Sequence, residues 1–229
     1  MNLIKMVIFD MAGTTINEDN LVYKTIHQTL MHHEYGISLD EVLLEAAGKE
    51  KWQAFFDLIK STTITDPPKA IVDRLHKEFV KRLEKSYYTS DITLFESVPD
   101  IISYLRSQSI KVVFNTGYNR MIAEYLLKKV GIIVGDQIDL LVTANDVDFS
   151  RPYSDMIDIA CLKLATLPQH CIKVGDSVTD ILEGHNAHVK YSIGITTGAQ
   201  NADQLAKGHP HYIIDNLIEL KSIINPLTN

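Results

Sequence analysis

The chain has 229 residues with a formal net charge of −7 and a pI near 5.7, a balance that argues against nucleic acid as a partner, because displacing phosphate counterions takes concentrated basic patches. At 45% hydrophobic and 22% charged residues it has the composition of a globular protein, long enough for one large domain or a core with an insertion. No apolar run approaches the length of a signal-peptide core or a membrane span, so no membrane partner and a cytoplasmic location are expected. Cys161 and Cys171 have no CxxC spacing and no histidine at metal-site distance, and read as small buried hydrophobes in a reducing compartment.

Met6-Val7-Ile8-Phe9-Asp10 is a short, unbroken β-favouring run closed by an acid, followed by Met11-Ala12-Gly13-Thr14-Thr15. Such a run reads as a strand buried on both faces with a carboxylate at its carboxyl end, where open α/β sheets bind ligands. The pattern then turns helical. Residues 21–35 carry Val22, Ile26 and Leu30 on one face and stop at Gly36. Ser38 and Glu41 form a capping box for a second helix running to Gly48. Trp52, Phe55, Phe56 and Ile59 give a third helix an apolar stripe that reads as core, and Val72, Leu75, Phe79 and Leu83 mark a fourth between Pro67-Pro68 and Tyr87-Tyr88. From 17 to 92 no strand pattern is visible, whereas strand and helix alternate before and after, so an all-helical block is inserted after the first strand. Beyond it come a helix opened by Pro99, a strand at 110–115, a helix ending at Gly131, a strand at 140–142, a helix at 155–164, a strand at 171–174, a helix capped by Ser177 and short strands at 189–195 and 212–214. That alternation is the signature of a mostly parallel sheet covered on both faces.

Four of these strands end in, or lead to, polar residues of complementary type: Asp10; Asn115-Thr116-Gly117; Arg151-Pro152; and Gly175-Asp176-Ser177 with Asp180 one turn further. Gathered in one crevice, they suit a phosphoryl group. A carboxylate takes the phosphoryl as an aspartyl phosphate, a hydroxyl and loop amides bind its oxygens, and a guanidinium neutralises its charge. A divalent cation on two carboxylates, most naturally Mg²⁺, would let an anionic nucleophile approach an anionic substrate.

The order D-x-x-G-T, then strand-x-T-G, then a basic residue before proline, then G-D-S-x-x-D resembles the haloacid dehalogenase superfamily of hydrolases over essentially the whole chain. The resemblance implies an α/β fold with a Rossmann-like, mostly parallel core at residues 1–16 and 93–229 and an all-helical cap domain at 17–92. It implies Asp10 as nucleophile and Mg²⁺ ligand, the Ala12 carbonyl and Asp176 as further metal ligands, and Thr116 and Gly117 on the phosphate. Arg151 takes the basic role usually filled by lysine, and Asp180 orients it or binds the metal through water. Lys173 is the fallback cation.

Ala12 stands where phosphatases of the superfamily usually carry a second aspartate, which protonates the leaving oxygen. F-D-x-A-G-T-T with T-G-Y and R-P-Y looks like the phosphonatase-like branch, in which the broken bond is P–C and a cap lysine forms a Schiff base with an aldehyde. The branch's G-x-x-K matches Gly48-Lys49-Glu50-Lys51, which makes Lys51 the candidate amine, Gly48 and Tyr118 its neighbours at the substrate, and Lys49 a cation that could keep Lys51 neutral. The branch's histidine one turn after this lysine is replaced by Ala54. The competing reading of Lys49-Glu50-Lys51 is a solvated charged run on a helix. The expected function is Mg²⁺-dependent hydrolysis of a small phosphonylated or phosphorylated metabolite. The alternatives are a phosphomonoesterase lacking the usual second aspartate and a non-catalytic phosphate-binding relative. Family analogy also suggests a homodimer. His32-His33 and His209-Pro210-His211 lack carboxylates at metal-ligand spacing and read as surface residues.

Overall fold

The computed structural model describes residues 4–63 and 65–225, so the extreme ends of the expected core, at 1–3 and 226–229, lie outside it. Six parallel strands form the sheet in the order β5-β4-β1-β6-β7-β8, with β1 at Met6–Asp10, β4 at Lys111–Thr116, β5 at Leu140–Thr143, β6 at Cys171–Gly175, β7 at Tyr191–Ile195 and β8 at Tyr212–Ile214. The chain runs outward from β1 through β4 and β5, then returns to β6 on the other side of β1. Strand order therefore reverses at β1, and the crevice beyond its carboxyl end is the switch point at which such sheets bind ligands.

The side-chain period of two divides β1 between both faces. Val7 and Phe9 join the larger core cluster, with Val112, Phe114, Ile172 and Val174. Met6 and Ile8 join a second, with Val113, Met156, Ile157 and Ala160. Register then fixes the chemistry, because Asp10 pairs directly with Asn115 of β4 and Ile8 with Lys173 of β6. Cys161 and Cys171 are both free and buried, as expected, with their sulfurs 3.8 Å apart.

Four helices lie between the first two sheet strands: α1 at Leu21–His32, α2 at Leu39–Ala46, α3 at Lys51–Ser61 and α4 at Lys69–Thr89. α1 packs on α2 and α4, and α3 on the same two helices. The Ser38–Glu41 capping box forms as expected, and α2 begins there. The end of α1 differs from expectation. Glu34, at φ +62°, takes the left-handed position, and Tyr35 N–H donates to Leu30 and Glu34 N–H to Met31. This Schellman closure stops the helix before Gly36 is reached. Trp52 also departs from the core reading: it is half-buried, stacks on Phe56 at 5.7 Å and donates its indole N–H to Asp73 at 2.7 Å.

A ribbon joins block to sheet. β2 at Ile16–Asn17 pairs antiparallel with β3 at Thr93–Leu94, so the two chain crossings run side by side. Two-residue strands carry no readable periodicity, which is why this pair is invisible in the sequence. Among the described residues, no helix is long and apolar enough to cross a membrane.

Phe79 is 1% exposed and meets Phe55 edge to face at 5.4 Å, at the centre of the helical layer. Phe79→Ala should cost about 3–5 kcal/mol through lost transfer energy and the cavity left behind, read as a fall in the urea unfolding midpoint.

Candidate active site

Immediately after Asp10 the chain turns back on itself, as the Met11 carbonyl accepts the N–H groups of Thr14, Thr15 and Ile16. The Thr15 hydroxyl donates to the carbonyl of Asp10 at 3.0 Å. The carboxylate thus sits on a fixed backbone, 5% exposed.

Arg151 organises the charges beneath it. Its Nη1 meets Asp10 Oδ1 at 2.6 Å and Asp180 Oδ1 at 2.9 Å, its Nε meets Glu183 at 2.9 Å, and its Nη2 donates to the side-chain oxygen of Asn115 at 2.6 Å. Lys173 completes the network, with Nζ 2.8 Å from Asp180, 3.4 Å from Glu183 and 2.8 Å from Asn115 Oδ1. Asn115 Nδ2 donates to the other Glu183 oxygen at 2.8 Å. Burial alone would lift Asp180, but Arg151 and Lys173 together hold its carboxyl below the ordinary range. Asp10 is pushed up, chiefly by burial and then by Asp180, with Arg151 opposing. Asp176 is pushed well up by burial and by its neighbours Asp10 and Asp180. It stands outside the ion pairs that tie Asp10, Asp180 and Glu183 to their cations. Asp176 Oδ2 accepts the Ala199 N–H at 2.7 Å, and its carboxylate fills space that a Cβ on Gly13 or Gly198 would occupy.

The helical layer closes over this end of the sheet. Asp10, Ala12, Tyr23, Gly48, Lys51, Thr116, Gly117, Tyr118 and Arg151 enclose a cavity of about 10 Å³. Gly48, at φ +72°, lies where a Cβ would strike Ser177, and a Cβ on Gly117 would fall 2.7 Å from the Lys49 carbonyl. Gly117 therefore serves the contact between helical layer and sheet, and it also lines the cavity that holds Asp10. Thr116 is buried and its hydroxyl accepts the Tyr118 N–H at 3.2 Å.

Lys51 is 7% exposed, its Nζ 5.5 Å from the ring centres of both Tyr23 and Tyr118, donating to the Lys49 carbonyl at 2.7 Å. Burial lowers its pKa, Arg151 adding to that and Asp10 opposing. The charged run is therefore not one solvated face. Nor does Lys49 act as the neighbouring cation, because it pairs with Asp57 at 2.6 Å; burial and Arg151 have that effect instead.

Lys173 is a full member of the network rather than a fallback, and Glu183 and Asn115 join it without having been singled out. The one available signal was the i, i+3 spacing of Asp180 and Glu183 on α8, Val178–Asn186. Glu18, Tyr23 and Tyr87 gave none. The histidine pair at the end of α1 also departs from expectation: Glu78 comes within 2.8 Å of His33 and within metal-ligand range of His32 and His33, while Arg82 holds the other Glu78 oxygen at 2.6 Å.

The sequence matches the model of the haloacid dehalogenase-like hydrolases over residues 7–194. A phosphonoacetaldehyde hydrolase of Bacillus cereus (strain B4264) is 31% identical over 210 residues, covering 86% of this chain and 77% of that protein. Another, from Bacillus mycoides (strain KBAB4), is 28% identical over 260 residues, covering 96% and 95%. Among solved structures, a phosphonoacetaldehyde hydrolase-like protein from Oleispira antarctica shares the fold with a TM-score of 0.83 at 22% identity, covering 96% of this chain and 91% of that one. A hydrolase from Pseudomonas syringae does so with a TM-score of 0.84 at 18% identity, covering 98% and 100%. The chain belongs to the haloacid dehalogenase-like hydrolases. Within that superfamily it is phosphonatase-like.

Lys173→Met removes one of two cations from a buried network and leaves Asp180 and Glu183 undercompensated, so it should cost about 3–5 kcal/mol at neutral pH in urea denaturation. Glu18 supplies a pH signature. Burial, opposed by hydrogen bonds from Val22 and Tyr87, raises its carboxyl from 4.5 to about 8, so the folded state keeps a proton that the unfolded chain has lost. Stability should fall as pH rises through that window, by about 1.4 kcal/mol per unit. Glu18→Gln should remove this slope when unfolding free energies of the two proteins are compared from pH 5 to 8.

Proposed function

We propose that the protein hydrolyses the P–C bond of a small phosphonylated aldehyde through an aspartyl phosphate on Asp10, with Lys51 as the electron sink, and that residues 17–92 act as a cap over the site. The observation that carries this reading is the position of Lys51: a nearly buried amine, its pKa lowered by burial, in the same cavity as Asp10. An amine must be neutral to attack a carbonyl, and desolvation is the means of making it so near neutral pH.

The Lys51 amine adds to the aldehyde and water leaves, giving an iminium. Asp10 then attacks phosphorus with the oxygen that Arg151 does not hold, the P–C bond breaks, and its electron pair moves into the iminium to form an enamine. Protonation and hydrolysis of the enamine return Lys51 and release the aldehyde product, and water cleaves the aspartyl phosphate. No acid is required at residue 12, because the leaving atom is carbon, which accounts for Ala12. Thr116 binds a phosphoryl oxygen and Arg151 supplies positive charge beside it, its five N–H groups being taken by Asp10, Asp180, Glu183 and the two Asn115 oxygens that hold it in place.

The donor set suits Mg²⁺. Asp10, the Ala12 carbonyl and Asp176 offer hard oxygen donors; burial raises both carboxyls, Asp10 raises Asp176 further, and Asp176 lies outside the ion-paired network. Bound there, the ion would ionise both carboxylates and screen the nucleophile from an anionic substrate.

Phosphate release from phosphonoacetaldehyde with Mg²⁺, measured beside a panel of phosphomonoesters and combined with borohydride trapping, tests the reading. Turnover of the phosphonate with a reduced adduct on Lys51 is expected. Asp10→Asn and Lys51→Arg should each lower kcat by at least about 10³-fold. Turnover of esters alone, with no adduct, would leave a phosphomonoesterase.

A further inference from the structure

Glu18 follows β2, where the chain passes from the ribbon into α1, and is 3% exposed. Its Oε2 accepts the Val22 N–H at 3.0 Å and the Tyr87 hydroxyl at 3.1 Å. The Tyr87 oxygen lies 2.7 Å from the Tyr118 hydroxyl, and the two rings meet edge to face at 6.4 Å. With its single proton directed to Glu18, Tyr87 accepts from Tyr118. A chain of two hydrogen bonds thus runs from the ribbon, through α4, to one of the two rings that cover the Lys51 amine. The second ring is tethered in the same way, since the Tyr23 hydroxyl accepts the Gly48 N–H at 3.3 Å.

A carboxyl in this position is costly as packing, because an apolar side chain could fill the space without desolvating an ionisable group. Its return lies in what it orders. We propose that Glu18 is a positioning residue for Lys51, fixing through Tyr87 and Tyr118 the aromatic cover that keeps water from the amine. The inference builds on the reading of Lys51 as the reacting amine and adds the group that maintains its desolvation. Lys51 and Lys24 face Glu18 with charges that favour its ionised form, as do the hydrogen bonds from Val22 and Tyr87, but burial outweighs all four and keeps the carboxyl largely protonated at neutral pH. Glu18 therefore acts through hydrogen bonds rather than through charge. Gln, which preserves the acceptor, should replace it.

Competitive acetylation with acetic anhydride across pH, followed by mass spectrometry of the Lys51 peptide, reads the apparent pKa of this amine without any aldehyde. Glu18→Ala and Tyr87→Phe should raise the Lys51 labelling midpoint by about one pH unit, leaving tenfold less neutral amine at a fixed pH below it. Glu18→Gln should label like the wild type. Tyr87→Phe keeps the ring and removes one hydroxyl, so it answers the question even if Glu18→Ala does not fold. An unmoved midpoint in Tyr87→Phe, or a shift in Glu18→Gln as large as in Glu18→Ala, overturns the proposal. Borohydride trapping of phosphonoacetaldehyde on the same proteins separates the two readings. A labelling shift without a wild-type adduct retires the Schiff base and retains the positioning role; an adduct with no labelling shift does the reverse.

Discussion

A carboxylate buried at the end of the central strand is the constraint on which the rest of the site depends. Asp10 is 5% exposed, and an ionised carboxylate taken out of water costs several kcal/mol unless it is paired and hydrogen-bonded. The compensation comes from distant parts of the chain. β4 brings Asn115 directly beside Asp10, β6 brings Lys173, α8 brings Asp180 and Glu183 on one face, and the loop before α7, Asp155–Lys163, brings Arg151. Each of these groups is itself too polar to be buried alone, so the network is stable only as a whole. That mutual dependence fixes the guanidinium of Arg151 against Asp10.

The helical layer depends on the same constraint from the other side. It meets the strand ends at Gly48 and Gly117, where backbone approaches backbone and any Cβ would intrude. So close an approach leaves about 10 Å³ between the layers, room for no more than a single water. The exclusion of solvent that raises the carboxyls of Asp10 and Asp176 is also what lowers the ammonium of Lys51. One desolvated volume therefore shifts acids and base in opposite directions, each toward its neutral form.

The fold was legible because its signals are local and periodic: short apolar runs for the strands, 3.6-residue stripes for the helices, and the Ser38–Glu41 box at the start of α2. The residues ending β1, β4 and β6 were legible as well, because strand direction alone places them at one crevice. What escaped reading lacks periodicity. Glu183 lies in a helix whose pattern is satisfied by Ile181 and Gly184 facing the core, and its pairing with Arg151 spans 32 residues. Glu18 and Tyr87 lie 69 residues apart, joined only by tertiary packing. Lys49 and Lys51 show the limit most plainly: they are two residues apart in one charged run, yet one forms a half-exposed ion pair with Asp57 and the other turns inward. The start of α3 at Lys51 sends the two side chains in different directions.

Lys51 is held between opposing demands. Two aromatic faces 5.5 Å from Nζ and the nearby Asp10 favour the ammonium, while burial favours the amine and prevails. An environment purely apolar would leave the amine neutral but unanchored, and a fully anionic one would lock it as a cation. The tyrosine faces provide an intermediate condition, favouring the cation without cancelling the effect of burial while the nitrogen stays between them. Such a balance is sensitive to the exact placement of the rings, since cation–π attraction is greatest over the ring face and within about 6 Å of its centre. A ring that could swing away would admit water and return the lysine to its solution behaviour. The tethers of Tyr118 to Tyr87 and of Tyr23 to the Gly48 backbone oppose that motion, and both cross between chain segments that the fold alone brings together.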